Sequence, residues 1–337
     1  MGRMRDAAAH DPDSRTHHHE PPSLIGPIAL LVALAAFALG GTFLGSAIDT
    51  PRVGAFTTVF IAIIVQALPF LVLGVLLSAA IVAFVPRDLA ARALPGNRAL
   101  AVPLAGAAGM ALPGCECASV PVANGLMRKG VAPAAALTFL LAAPAINPIV
   151  LAATWVAFPT NHEMVLARLV ASLGTAIAVG WLWVLFGKRE WIRLPGGEAD
   201  DDVGSRWLVF RRSCAHDFLH AGGYLVLGGL ISAVINVLLP PSFVESLAGQ
   251  AALGVLTLAA LAVVMCICSE ADAFVAASFT QFSPTAQLAF MVVGPMVDLK
   301  LIAMQAGTFG RTFAVRFIPV TLAVAIIAAI LTGALLL

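Results

Sequence analysis

The sequence predicts an all-α polytopic membrane protein built by internal duplication, and three observations carry that reading. The 337 residues are 60% hydrophobic and 11% charged, with a single tyrosine, far from the usage of a water-soluble globular domain. The apolar residues gather into runs long enough to cross the ~30 Å hydrocarbon core of a bilayer. An early stretch also recurs late: Pro69–Pro86 and Gly223–Pro240 are identical at nine of eighteen positions, Gly74 pairing with Gly228 and Ser78 with Ser232. With the offset shortened by three residues, Cys115 aligns with Cys266, Cys117 with Cys268, Pro133 with Pro284, Pro144 with Pro295 and Asn147 with Asp298. Duplication of this kind marks membrane folds that alternate about a central site.

The chain divides in order. Residues 1–22, with His17, His18 and His19 beside prolines, bury too little apolar surface to fold and read as a solvated tail. Residues 23–50 hold an additional transmembrane helix, Pro27 to Ile48, that continues for a full span and so is not a cleavable signal. Residues 51–187 form the first repeat: a span Phe56–Val85, a basic loop, a broken segment Ala99–Leu126, and spans Ala134–Ala157 and Val165–Gly187. The polar stretch 188–212 is a linker rich in Gly and Asp. Residues 213–337 repeat the pattern: span Ala215–Leu239, broken segment Ala251–Phe279, spans Thr285–Thr308 and Thr312–Leu336.

Charge decides how the broken segments sit. If both cross the membrane, an internal N-terminus leaves nine Lys or Arg on each side, with Lys300 excluded as intramembrane, and the positive-inside rule has no winner. If both dip in and return, sixteen lie inside, including Arg128, Lys129 and the linker, against Arg52 and Arg168 outside. Each leg then needs about ten helical residues to reach the midplane, fewer than the about thirteen present. Three spans per repeat is an odd number, so the halves are expected to be inverted, each with a re-entrant hairpin whose tip meets the other at mid-membrane. The basic residues are scattered between apolar spans and exclude a nucleic-acid partner; the bilayer itself is the expected one.

The two tips carry the chemistry. PGCECASVP, Pro113–Pro121, and CICSEAD, Cys266–Asp272, each place a C-x-C pair in apolar sequence. Residues two apart do not share a helix face, so the backbone is expected to break there, with Ser119 and Ser269 as N-caps and Pro121 in a first helical turn. Helix N-termini favour thiolates, and soft thiolates select soft partners; Cys115, Cys117, Cys266 and Cys268, with Ser119, Ser269 and Asn147, are therefore the expected solute-binding and metal-ligating residues. The bland reading of each Cys is a small buried hydrophobe, but recurrence at equivalent positions favours function. Glu116, Glu270, Asp272, Asp298 and Lys300 lie at membrane depth, where a charge costs about 3 kcal/mol; they are candidates for proton coupling, the alternative being internal pairing, for instance of Lys300 with Asp272 or Glu270. His216 and His220, one turn apart near Cys214, make a weak ligand pair. No Walker A motif is present, no cofactor is expected, and the scattered cysteines suggest no disulfide framework.

The segments CECASVPVANGLMRKG, LLAAPAINPIVL, CSEADAFVAASF and VGPMVDLK resemble a family of predicted permeases that includes bacterial organoarsenical efflux permeases, and the likeness runs from about Phe56 onward. Members show a C-S-C-G form in the first motif, from which Glu116 and Ala118 depart. The resemblance implies a bacterial inner-membrane permease, with trivalent organoarsenical export in some members and a second membrane subunit in some relatives; the charge count adds a cytoplasmic N-terminus, the thiols a small thiophilic solute such as a trivalent arsenical or soft metal ion, and no enzyme activity is expected. The competing readings are a membrane thiol oxidoreductase, for which histidines are few and peripheral, and a metal-handling accessory subunit.

Overall fold

The computed structural model describes residues 51–86, 95, 97–112, 115–193, 205–238 and 251–337, and all regular structure among them is helical. The expected tail and additional N-terminal helix, most of the basic loop, Pro113 and Gly114, and the middle of the linker lie outside the described residues. The first long helix, α1, runs Pro51–Phe84. α2 (Arg98–Ala108) is capped by the Asn97 side chain and tightens into a single 3-10 turn, Gly109–Ala111. α3 (Glu116–Arg128), α4 (Pro133–Ile146), α5 (Pro148–Ala157) and α6 (Glu163–Phe186) complete the first half. α7 (Arg206–Leu238), α8 (Ala251–Met265), α9 (Asp272–Ser278), α10 (Pro284–Val293), α11 (Leu299–Phe309) and α12 (Arg311–Leu336) form the second.

Among the described residues, five helical stretches are long and apolar enough to cross a membrane: Val53–Phe84, Pro133–Ala157, Glu163–Phe186, Arg206–Leu238 and Arg311–Leu336. Two expected continuous spans turn out to be broken. The stretch 133–157 is two helices meeting at Asn147, and 285–308 is α10 and α11 separated by residues 294–298. The breaks were not foreseen because the apolar pattern runs straight through them. What stops the first helix is local: Pro148 follows Asn147, and the residue before a proline is pushed out of the helical region.

The same packing recurs in both halves. α2 lies on α4 and α8 on α10; α4 lies on α6 and α10 on α12. α5 touches α9 across the halves, and α3 touches α11 in the same way. α4 and α10 carry no charged residue and are buried almost throughout, as helices apolar on every side must be. α6 and α12 lie against them, and α1, α6 and α12 leave large apolar side chains outward, among them Val65, Leu166, Leu185, Val315 and Leu335. The correspondence is incomplete at α1 and α7, which pack on each other but choose different second partners, α3 for α1 and α11 for α7. Glycines set both contacts. A Cβ on Gly74 would fall 2.5 Å from the Ala118 Cα, and one on Gly228 would fall 2.4 Å from the Lys300 Cα.

Candidate functional site

The backbone does break at both cysteine pairs, though with different caps from those expected. Cys115 is the N-cap of α3, extended at φ −83° and ψ −179°, so Glu116 and Cys117 occupy the first turn. Ser119 therefore lies inside the helix, its hydroxyl donating to the Glu116 carbonyl at 2.9 Å, and Pro121 sits beyond the first turn. There it has no N–H to offer the carbonyl of Cys117 four residues earlier. In the second half Ala271 caps α9, leaving Cys266, Cys268 and Ser269 in the loop before it; the buried Ser269 hydroxyl has no hydrogen-bond partner. Cys266 has φ +52°, a conformation that costs a non-glycine residue about 1–3 kcal/mol.

The two helix breaks supply the next layer. Asn147 closes its break with one side chain: Oδ1 accepts from the Val150 N–H at 2.9 Å, and Nδ2 donates to the Ala143 carbonyl at 3.2 Å. Asp298 caps α11 in the same manner, Oδ1 accepting from the Leu301 N–H at 2.6 Å. A carboxylate cannot donate as an amide does, and its second oxygen instead faces Lys300 Nζ at 3.3 Å.

Lys300 is the hub. Its ammonium lies 2.5 Å from Glu116 Oε1 of the first half, donates to the Cys266 carbonyl at 2.9 Å, and approaches Cys268 Sγ at 3.8 Å. The pairing expected with Asp272 or Glu270 is thus replaced by Glu116 and Asp298. Around this hub the thiols of the two halves meet: Cys115 contacts both Cys117 and Cys268. The sulfurs of Cys115 and Cys117 and a Glu116 carboxylate oxygen lie within 4.8 Å of one another, close enough to share one metal ion. Cys266 turns aside, its thiol facing Ser232 and the Val263 carbonyl, 3.6 Å away. None of Cys115, Glu116, Cys117, Cys266, Cys268, Asp298 and Lys300 is more than 2% exposed, so the centre is closed to solvent.

Asp272 belongs to a neighbouring clamp. Arg168 Nη1 and Nη2 donate to Asp272 Oδ1 and Oδ2 at 2.8 Å each, and the same guanidinium reaches Thr154 Oγ1 at 2.9 Å and the Ser269 carbonyl at 3.3 Å. Arg168 is fully buried, so it is an interior charge and not one of the external ones the charge count expects. The signal was present in the sequence: an arginine inside an apolar run is rare and needs a partner. Glu270 is half-buried with Oε1 unpartnered. His216 and His220 stack face to face with centroids 5.7 Å apart beside a small cavity lined also by Asn124, Asp217 and Thr308. Asp217 itself accepts from Ser78 at 3.2 Å and lies 3.8 Å from Arg128.

The chain matches the model of a family described as predicted permease (ArsP_1) over residues 52–334. It is 34% identical over 285 residues to the UPF0718 protein YcgR of Bacillus subtilis, covering 83% of this chain and 95% of that one. It is 30% identical over 282 residues to a Streptococcus mutans protein named as a subunit of a two-component membrane permease complex, covering 82% and 94%. Over 124 residues, 36% of this chain and 33% of the other, it is 32% identical to the UPF0718 protein YraQ of Escherichia coli. No solved structure matches it.

Proposed function

This chain belongs to that family of predicted permeases, multi-pass membrane transporters rather than enzymes, and on that premise we propose that it is a secondary transporter of a small thiophilic solute. The observation that carries the reading is the convergence of Cys115 and Cys117 from one half with Cys268 from the other around Lys300. Sulfur ligands in a closed pocket suit a soft metal ion or a trivalent arsenical better than a hard cation. The complete burial of these groups is what an occluded intermediate of alternating access requires, because solute can reach them only if the halves move apart.

The re-entrant arrangement is part of the proposal. The return leg of the second hairpin, α9, is short at 7 residues; α3, the return leg of the first, has 13 and α11, the second part of a broken span, has 11, or about 20 and 16 Å at helical rise, about one-half to two-thirds of a hydrocarbon core. Cys115 and Lys300 at their starts then both lie near the midplane, and broken backbone at that depth is tolerated because it is buried in protein. With Arg168 removed from the external tally, the charge bias toward an internal N-terminus in a bacterial inner membrane strengthens. Of the carboxylates at this depth, Asp272 is held by Arg168 and both Glu116 and Asp298 by Lys300, so Glu270 is the one left to exchange protons. The Streptococcus mutans relative's printed name supports a second membrane subunit as partner.

Reconstitution into proteoliposomes tests the reading. Cadmium or a trivalent phenylarsenical should cross by a saturable route in the wild-type protein, and Cys117→Ser should remove it. Equal flux in both proteins would overturn the thiol-centred site.

A further inference from the structure

The geometry points to Lys300 as a tethered counter-ion that occupies the transported cation's place whenever the site is empty, so that the solute is a soft cation rather than a neutral species. This rests on the reading that the thiol centre is the solute site.

The argument begins with charge. Besides the thiols, six ionisable side chains lie at or beside the centre, four acidic (Glu116, Glu270, Asp272, Asp298) and two basic (Arg168, Lys300). Arg168 and Asp272 close on each other bidentately. Lys300 alone is left to answer Glu116 and Asp298, with Glu270 nearby. The shortfall appears in the hydrogen bonding: Glu116 is fully buried, one carboxylate oxygen rests on Lys300, and Oε2 has no partner. A buried carboxylate oxygen left bare is costly, and two sulfurs lie close to this carboxylate. Cys115 Sγ, Cys117 Sγ and a Glu116 oxygen lie within 4.8 Å of one another, and an ion that holds sulfur at about 2.3 Å and carboxylate oxygen at about 2.1 Å can sit between such atoms.

Such an ion could not share the site with the ammonium. Lys300 Nζ is 2.5 Å from Glu116 Oε1 and 3.8 Å from Cys268 Sγ, so it already occupies the one carboxylate the ion would take, and two positive charges sharing that carboxylate repel in a low-dielectric interior. A cation bound to Cys115, Glu116 and Cys117 therefore displaces Lys300 toward its remaining partners, Asp298 and the Cys266 carbonyl, which lie on its own half. That displacement breaks one of the ion pairs that join the halves, leaving that of Arg168 with Asp272 in place. When the cation leaves, Lys300 returns and the emptied centre is again compensated. A neutral solute would gain nothing by moving it. Asp298 makes the retreat available: the equivalent Asn147 satisfies both ends of its own break, whereas Asp298 keeps an oxygen free for Lys300.

The experiment measures Kd for Cd2+ and for a trivalent phenylarsenical, a neutral dithiol probe, on the purified full chain in detergent. Lys300→Met should bind Cd2+ about tenfold tighter or more than wild type, leave the phenylarsenical within about twofold, and Lys300→Arg should stay near wild type for both. Unchanged or weaker Cd2+ binding in Lys300→Met overturns the inference, as does equal tightening for both probes. If Lys300→Met does not fold, Asp298→Asn/Lys300→Met, which removes a charge pair as a neutral unit and keeps a capping side chain, is compared with Asp298→Asn alone, with the same tightening expected. Cys117→Ser separates the two levels. If it leaves Cd2+ binding intact the thiol site itself falls; if it abolishes binding while Lys300→Met fails to tighten it, only the counter-ion role falls.

Discussion

Arg168 holds Asp272 by both oxygens, each at 2.8 Å, and in doing so fastens the start of α9 in the second half to α6 in the first. Both side chains are buried. Breaking such a pair leaves one charge stranded, a cost of about 3 kcal/mol, whereas removing both partners costs less. Arg168→Ala should therefore lower the thermal unfolding temperature in detergent markedly, and Arg168→Ala/Asp272→Ala should recover part of the loss. A double variant no more stable than the single would show that the clamp contributes little beyond packing.

Gly74 and Gly228 give a steric prediction. With an added Cβ only 2.5 Å from Ala118 Cα or 2.4 Å from Lys300 Cα, even alanine forces helices apart, and backbone cannot yield as a side-chain tip does. Gly74→Ala should insert in the membrane normally and lose most transport, and Gly74→Leu should lose all of it. Transport at wild-type rate in Gly74→Ala would mean that α1 and α3 separate freely.

The four cysteines are not equivalent. Cys268→Ser and Cys117→Ser should each reduce flux of a thiophilic solute at least about tenfold, while Cys266→Ser, whose thiol faces Ser232 and the Val263 carbonyl, should reduce it only about twofold. A short bifunctional thiol reagent should join Cys115 to Cys268 across the halves. Crosslinking of Cys266 to Cys115 in preference would show that the second loop adopts another arrangement.

Glu270 is the carboxylate with an unpartnered oxygen and partial exposure. Glu270→Gln should make flux insensitive to an imposed pH gradient while leaving Cd2+ affinity unchanged. Flux in that variant that still accelerates with the gradient would move the coupling elsewhere.

Topology is open to direct labelling. Cysteines introduced at Thr160, exposed between α5 and α6, and at Ser205, exposed ahead of α7, should react from opposite sides of the membrane, Thr160 from outside. Reaction of both from one side would overturn the arrangement of three spans and one hairpin per half.

Composition, the long apolar runs and the C-x-C repeat were enough to identify a helical membrane protein, to place α6 and α12 nearly to the residue together with the C-terminal ends of α1 and α7, whose starts lie earlier than expected, and to locate both backbone breaks beside the cysteines. Hydrophobicity and turn chemistry are local properties, so they can be read from neighbouring residues. The sequence also singled out Glu116, Asp298 and Lys300, because a charge at membrane depth is conspicuous wherever it points. Their partners could not be read, since pairing is decided by which helices meet, and that follows from contacts such as Gly228 against the Lys300 backbone. The breaks at Asn147 and Asp298 were hidden by the length of the apolar runs around them: Pro148 is a local stop signal for the first and Lys300 marks the second as polar, but the capping by each side chain becomes visible only once the chain is seen to turn. Arg168 was misplaced by the same limit. Five residues inside a helix end it passes for an interfacial charge, and only the arrival of α9 from the other half, carrying Asp272 within 2.8 Å, makes it an interior one.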